Sequence, residues 1–344
     1  MSTRPAHVVV AKLSDSPTGI FAINPGIPAC FANILSATNI WNDSTRIVRE
    51  FTVLHAFSYE RRFFVKSLVQ QGDNLLLLQS LDDESIPLIY IDPPFNTGQR
   101  RVQTALKVER DHSGDRTGFA GQRYRTTVIG STSYEDAFAD YMAFLEPRLR
   151  EGYRVLAANG SFYLHLDQRE VHYVKVLMDQ IFGRASFLNE IIWAYDFGGR
   201  SKRRWPSKHD TILFYVKSPD DYVFNTDEVD REPYMAPGLV TPEKVARGKL
   251  PTDTWWHTIV SPTGREKTGY PTQKPIGILK RIIAASSLPG DLVLDYFAGS
   301  GTTGAAALAL GRRFHLMDSN PEAISTMQRR FSEREDVQFA VENE

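Results

Sequence analysis

The sequence predicts a doubly wound, mostly parallel α/β sheet, and three observations carry that prediction. Two short apolar runs, Leu88-Ile89-Tyr90-Ile91 and Leu292-Val293-Leu294, each end on an aspartate, Asp92 and Asp295. Strand and helix patterns alternate along the chain, as they do where helices cover both faces of a parallel sheet. Gly299, Gly301 and Gly304 spell G-x-G-x-x-G directly after the second aspartate.

Taken in order, residues 1–60 carry scattered prolines and glycines (Pro17, Gly19, Pro25, Gly26, Pro28) without a sustained period, and read as an N-terminal segment of unassigned role. A strand is expected over 64–69, ending at Gly72-Asp73, then a short helix over 75–81. Residues 88–92 form a continuous apolar run stopped by Pro93-Pro94, as expected of a strand buried on both faces. Residues 97–133, rich in Gly, Arg, Thr and Ser, read as one long loop. Phe138, Tyr141, Met142, Leu145 and Leu149 then show helical spacing, with Glu135 and Asp136 suiting the helix start. A strand over 161–166, a helix over 169–182 and strands over 188–194 and 211–216 follow.

From about 218 to 261 prolines, charges and Trp255-Trp256 replace the alternating pattern, which reads as a small inserted module. A helix over 276–285, a strand over 292–295, a helix over 302–310, a strand over 313–318 and a helix after Pro321 complete the domain. The expected organisation is therefore two halves, 61–217 and 262–344, around a small insert over 218–261.

The 344-residue chain balances 40 Lys+Arg against 41 Asp+Glu, so a polyanion must meet a local patch rather than a uniformly basic coat. Its apolar runs fall far short of the ~20 residues of a membrane span, and Met1 to Leu13 lack a signal-peptide core. The expectation is a soluble, cytoplasmic protein with no membrane partner. Cys30 is the single cysteine, which excludes an intrachain disulfide and a cysteine-built zinc site. His165, Asp167 and His172 lack a third convergent ligand type, and no metal is expected.

The glycine loop lets backbone approach a ligand closely, and Asp318, 19 residues beyond Gly299, stands where a carboxylate reaches ribose hydroxyls. The literal match is a dinucleotide site, as in a nicotinamide oxidoreductase. Only 26 residues follow Asp318, however, so upstream strands must complete the sheet and the fold would be circularly permuted. Asp295 also sits where the cationic amino-acid end of a ligand can be held. S-adenosylmethionine suits both features.

Asp92-Pro93-Pro94-Phe95 follows the other buried strand, and ligands of open α/β sheets bind at the carboxyl ends of strands. Two prolines stiffen the backbone and leave carbonyls without competing N–H groups. A carboxylate and a rigid carbonyl together accept both protons of an exocyclic amine, and Phe95 can stack on a planar base.

Residues 90–98 (Tyr-Ile-Asp-Pro-Pro-Phe-Asn-Thr-Gly), Gly269-Tyr270-Pro271-Thr272-Gln273-Lys274-Pro275 and Asp295 to Thr303 together resemble the signatures of beta-class DNA amino-methyltransferases. That class includes cell-cycle-regulated adenine methyltransferases and the modification subunits of Type III restriction systems. Gly72-Asp73-Asn74 matches the element that precedes the catalytic strand; Tyr296, where proline is common, departs from the pattern. The resemblance spans about residues 63–335. It implies a Rossmann-like methyltransferase fold and transfer of the S-adenosylmethionine methyl to adenine N6, with cytosine N4 as the alternative target, in double-stranded DNA after base flipping.

Asp92, Pro93, Pro94 and Phe95 would then be catalytic. Asp295, Phe297, Gly299, Gly301 and Thr302 would surround methionine and ribose, Asp318 the ribose hydroxyls and Asp73 the adenine end. Thr272, Gln273 and Lys274 would open the helix over the methionine moiety, with Pro275 in its first turn. The cytosine-C5 route needs a nucleophilic cysteine, and Cys30 lies outside the matching region. Arg200, Lys202, Arg203, Arg204 and Lys208 crowd around Trp205, and Arg100 and Arg101 open the long loop, two local cationic groups apt for DNA phosphates. A restriction subunit and a second copy of the chain are further candidate partners; a non-catalytic nucleic-acid-binding protein is the remaining rival class.

Overall fold

The computed structural model describes residues 37–42, 46–51, 66–96, 101–110, 113, 116–117, 123–134, 138, 140–198, 201–261 and 264–341. The chain divides into two compact units, Met1–Phe64 and Val65–Glu344. In the first, β1 (Ala37–Asn42) and β2 (Arg46–Phe51) pair antiparallel with Ile40 opposite Val48.

The second unit runs β3 (Ser67–Gln71), α1 (Asn74–Gln79), β4 (Ile86–Ile91), β5 (Arg101–Arg110), β6 (Arg116–Thr117), β7 (Arg123–Tyr134) and α2 (Tyr141–Val155). It continues β8 (Leu156–Leu166), α3 (Val171–Phe182), β9 (Phe187–Ala194), β10 (His209–Val216), α4 (Pro242–Arg247), β11 (Thr254–Trp256) and α5 (Ile276–Ser286). β12 (Leu292–Asp295), α6 (Thr302–Ala309), β13 (Arg313–Asp318), α7 (Pro321–Arg330) and β14 (Val337–Ala340) close it.

Nine strands form one sheet in the order β11-β9-β10-β8-β4-β12-β13-β3-β14. All its pairings are parallel except those of β10 with β8 and β9. The doubly wound, mostly parallel prediction therefore holds, and so does the permuted order: β12, late in the chain, sits centrally beside β4. From β4 the sheet builds outward through β8; from β12 it builds the other way through β13. The direction reverses between β4 and β12, and such a switch point opens a crevice at the strands' carboxyl ends.

Side chains alternate across the pleat. Leu88, Tyr90 and Val293 join a core under α5, α6 and α7, while Ile89, Ile91 and Leu294 join a second core under α1, α2 and α3. At roughly 2 kcal/mol per fully buried large aliphatic side chain, this two-faced burial fixes both strand ends from which the site is built.

Three expectations change. The segment 97–133 is not a single loop: β5, β7 and β6 form a separate three-stranded antiparallel sheet, with Lys107 opposite Thr127. Val102, Leu106 and Val108 alternate with other residues, and Thr126-Thr127-Val128-Ile129 is β-branched, both of which favour strands. Ser113, Gly114, Gly118 and Gly121, which suggest a loop, concentrate in the connections. The helix expected from Ser133 starts at Tyr141, because Ser133 and Tyr134 finish β7. Asp140 caps it by accepting from Ala143 N at 3.0 Å, and Glu135 and Asp136 lie outside the described residues. At α5, Pro275 is the N-cap rather than a first-turn residue, so Thr272, Gln273 and Lys274 precede the helix.

The segment 218–261 packs as part of the same compact unit. Its β11 extends the main sheet parallel to β9, and Trp255 is buried. Asn225 Nδ2 donates to the carbonyls of Ala284 and Ser287 at 3.1 and 2.8 Å, tying the segment to the end of α5. Among the described residues no helix is long and apolar enough to cross a membrane.

Candidate active site

The crevice between β4 and β12 holds a cavity of about 440 Å³, within the usual size of small-molecule pockets. Its lining includes Asp92, Pro93, Pro94 and Phe95 from the end of β4, and Asp295, Phe297, Gly299 and Thr302 from the end of β12. Asp73, Thr272, Gln273, Lys274 and Asp318 complete it. Three stretches far apart in sequence thus converge on one space.

Asp92 leaves β4 with its carboxylate partly buried. Its Oδ2 accepts from Lys274 Nζ, while Oδ1 is buried without any hydrogen-bond partner. A buried acceptor left open costs on the order of 1–3 kcal/mol, which a ligand N–H would recover. The Lys274 ammonium also lies 4.8 Å from the Phe95 ring centroid, a cation–π contact. Asn96, at φ 50°, holds the turn beyond: its side chain accepts from Phe138 N at 3.1 Å and donates to Glu170 at 2.8 Å.

Behind this corner runs a buried chain that sequence reading does not assign. Tyr90 Oη meets His165 Nδ1 at 2.8 Å, His165 Nε2 faces Asp210 Oδ2 at 3.3 Å, and Tyr195 Oη donates to Asp210 Oδ1 at 3.0 Å. Burial pushes the Tyr90 hydroxyl well up, with Asp92, Asp295 and Asp210 adding to it. Burial also works to raise Asp210, but the His165 hydrogen bond and charge, then Lys274 and Tyr195, hold it below the usual carboxylate range. His165, whose ring centroid is 5.9 Å from that of Phe95, has both nitrogens engaged and serves as packing support for that ring.

At the other wall, Asp295 Oδ1 accepts from Phe297 N at 3.0 Å and Oδ2 from Thr303 Oγ1 at 2.6 Å. Burial pushes its carboxyl up to about 7 against those two bonds, and Asp92 and Asp318 push the same way. Asp318 accepts from Gly299 N at 2.8 Å and Asn320 N at 2.9 Å; burial raises its pKa while these amides oppose the rise. Gly301, at φ 71°, caps α6, and a Cβ there would stand 2.7 Å from Met327 Cγ. Thr302 Oγ1 takes a 3.1 Å bond from Arg330, which also donates to the Ser300 carbonyl at 2.7 Å.

Asp73 caps α1 by accepting from Leu75 N at 2.8 Å and pairs with Arg148 at 3.1 Å. Arg148 further donates to Asn74 Oδ1 at 2.6 Å and the Phe144 carbonyl at 2.8 Å, clamping α2 to the start of α1. Gln273 engages its amide within its own loop, accepting from Thr268 N and Oγ1 and donating to the Glu266 carbonyl. Glu266 in turn accepts from Ile276 N at 2.6 Å, at the start of α5. No local pattern singles out Arg148 or Glu266; only their long-range partners give them meaning.

Of the expected DNA contacts, Lys202, Arg203 and Arg204 are exposed, and Lys208 Nζ donates to the Gly198 carbonyl at 2.9 Å. Arg100, Arg200 and the side chain of Arg101 lie outside the described residues.

The pocket suits a nucleoside with a cationic tail. Carboxylates stand at two strand ends, Asp295 buried and Asp318 partly buried, and Tyr270 and Phe297 supply aromatic surface.

A parallel sheet with this crevice, a carboxylate beside a stacking ring and a glycine loop opposite define a methyltransferase-like nucleotide-binding protein. The DNA methylase family profile matches residues 86–329, and the chain belongs to that family. It is 33% identical over 267 residues to the DNA adenine methyltransferase YhdJ of Escherichia coli K12, covering 75% of this chain and 80% of the relative. It is 31% identical over 253 residues to the Type II methyltransferase M.HpaI of Haemophilus parainfluenzae, covering 74% and 70%. The PvuII cytosine-N4-specific DNA methyltransferase has the same fold, at TM-score 0.53 and 17% identity over 78% of this chain and 87% of that one. So does a Thermus thermophilus protein solved with S-adenosyl-L-methionine, at TM-score 0.51 and 20% identity over 81% and 99%. Membership in this family removes the oxidoreductase reading of the glycine loop.

Proposed function

We propose that this chain transfers a methyl group from S-adenosylmethionine to N6 of an adenine flipped out of double-stranded DNA. The donor supplies an electrophilic sulfonium methyl when bound. The residues of this chain do the rest. Asp92 and the Pro93 carbonyl accept hydrogen bonds from the two amine N–H groups, which turns the nitrogen lone pair out of conjugation with the ring. Their negative ends then stabilise the positive charge that grows on nitrogen. The methylated nitrogen sheds one proton, with a neutral thioether left on the donor side. Phe95 carries the face of the base. Asp295 and Asp318 orient the donor, Gly299 and Gly301 give it close backbone approach, and Asp73 lies toward its adenine end.

The observation that carries this reading is the Asp92 carboxylate in the cavity lining beside Phe95, with one oxygen that has no hydrogen-bond partner within the protein. The 33% identity to an enzyme named an adenine methyltransferase favours adenine over cytosine N4. Mass spectrometry of DNA from cells with and without the protein tests the target directly. N6-methyladenine appearing only with the protein is the expected result; N4-methylcytosine alone overturns the choice of base.

The same reading places the exposed cations at 202–204 on phosphates and gives 218–261 a part in target recognition. M.HpaI is named a Type II methyltransferase, which supports looking for a cognate nuclease; size-exclusion chromatography with light scattering tests for a homodimer.

A further inference from the structure

Trp205 is 94% exposed. Its indole presents a large, rigid aromatic face to solvent, a kind of side chain enriched where partners bind. Its neighbours say which partner. Lys202, Arg203 and Arg204 are exposed and have no acidic partner among the described residues. Ser201 Oγ accepts from Arg203 N and Arg204 N at 3.3 and 3.2 Å, a turn that holds these cations next to the ring.

The location follows from the sheet. β9 and β8 both run antiparallel to β10, and β8 is parallel to β4, so the segment after β9 leaves the sheet at the edge from which Asp92 projects. Tyr195 N donates to the Lys208 carbonyl at 2.9 Å, closing the base of the segment, and Ser207 Oγ donates to Gln168 just beyond β8. Trp256 and Met235, also exposed, have no run of adjacent cations beside them in the sequence.

A base leaving the duplex abandons its stack, at a cost of a few kcal/mol. A side chain that fills the gap offsets that cost, and apolar wedges between base steps do so in proteins that deform DNA. We propose that Trp205 is such a wedge: it enters the duplex and takes the stacking place vacated by the target base, while Lys202, Arg203 and Arg204 hold the flanking phosphates. The inference rests on the proposed DNA methyltransferase activity and adds the device that keeps the base out.

The test uses the full chain and short duplexes containing the methylated site. In one duplex the target faces its normal partner; in the other it faces an abasic position, so no base pair has to be broken and the helix around the target is less firmly held. Trp205→Ala should lose roughly ten-fold in kcat/KM on the paired duplex, the size of one lost base–aromatic stack, and recover most of it on the abasic one. Trp205→Phe should lie between. Arg203→Ala with Arg204→Ala should weaken both duplexes alike and flatten the salt dependence. Unchanged kcat/KM for Trp205→Ala on the paired duplex overturns the wedge, and so does an equal loss on both. If the unmutated chain methylates neither duplex, the underlying activity falls instead.

Discussion

Lys274 and Asp92 stand 182 positions apart in the chain and form an ion pair across the crevice. The lysine follows the turn that leads into α5; the aspartate follows β4. Its ammonium touches the carboxylate and the face of Phe95, the two groups proposed to receive an amine nitrogen that becomes cationic during transfer. A carboxylate and an aromatic ring are groups that hold a nitrogen cation, as they hold the lysine ammonium here.

Asp92→Asn should therefore lower kcat by at least about 100-fold, the usual cost of removing a group aimed at developing charge. Donor affinity, measured by calorimetry, should stay within roughly three-fold, because Asp92 acts on the base rather than on the donor. Turnover within ten-fold of the native enzyme would refute the assigned role.

Lys274→Met separates two readings of the same residue. The sequence places Lys274 at the methionine end of the donor, whereas its ammonium is engaged by Asp92. Loss of the partner leaves a partly buried carboxylate unpaired, which should lower stability, and should cut kcat ten-fold or more. Donor affinity should change little, and Lys274→Arg should restore part of the rate. A large loss of donor affinity with kcat retained would return Lys274 to the donor site.

The Asp295 carboxyl, pushed up to about 7 by burial, makes donor binding depend on pH near neutrality. An ammonium group needs the ionised form, which prevails above that value and is lost as pH falls through it. Affinity should thus fall from pH 8 to pH 6, steepening below 7 toward at most ten-fold per pH unit. Titration calorimetry across that range checks it, and Asp295→Asn should bind weakly at every pH. A flat profile in the native chain would exclude Asp295 as the ammonium partner.

Much of this site was legible from local pattern because its backbone parts are contiguous in sequence. A continuous apolar run ending on Asp92, and another ending on Asp295 before Gly299 and Gly301, are strand-to-loop junctions that periodicity and glycine spacing mark directly. Side-chain pairs across the fold leave no such mark. Arg148 reads as a polar position on a helix, yet it reaches Asp73 and Asn74 near α1. His165 reads as an interior strand residue, and only the sheet order puts Asp210 beside it. The β5–β7 sheet was hidden for a different reason: glycines in its connections outweigh the weak alternation of its strands.

Gly301 offers a sharper test of the donor loop, because a second glycine supplies its control. Both Gly301 and Gly311 adopt positive φ, 71° and 70°. Alanine at either incurs the left-handed backbone cost of roughly 1–2 kcal/mol. At Gly311 nothing lies within 4 Å of the added methyl, whereas at Gly301 it would meet Met327 Cγ at 2.7 Å and Phe331 at 3.3 Å. Gly301→Ala must therefore also displace the Met327 side chain, which packs against the loop that Arg330 ties down through the Ser300 carbonyl. Both variants should melt a few degrees lower, Gly301→Ala by the larger amount. Only Gly301→Ala should bind the donor at least ten-fold more weakly, since only there does the cavity wall move. Equal donor affinity in the two variants would show that the loop's position, as distinct from its backbone strain, does not govern binding.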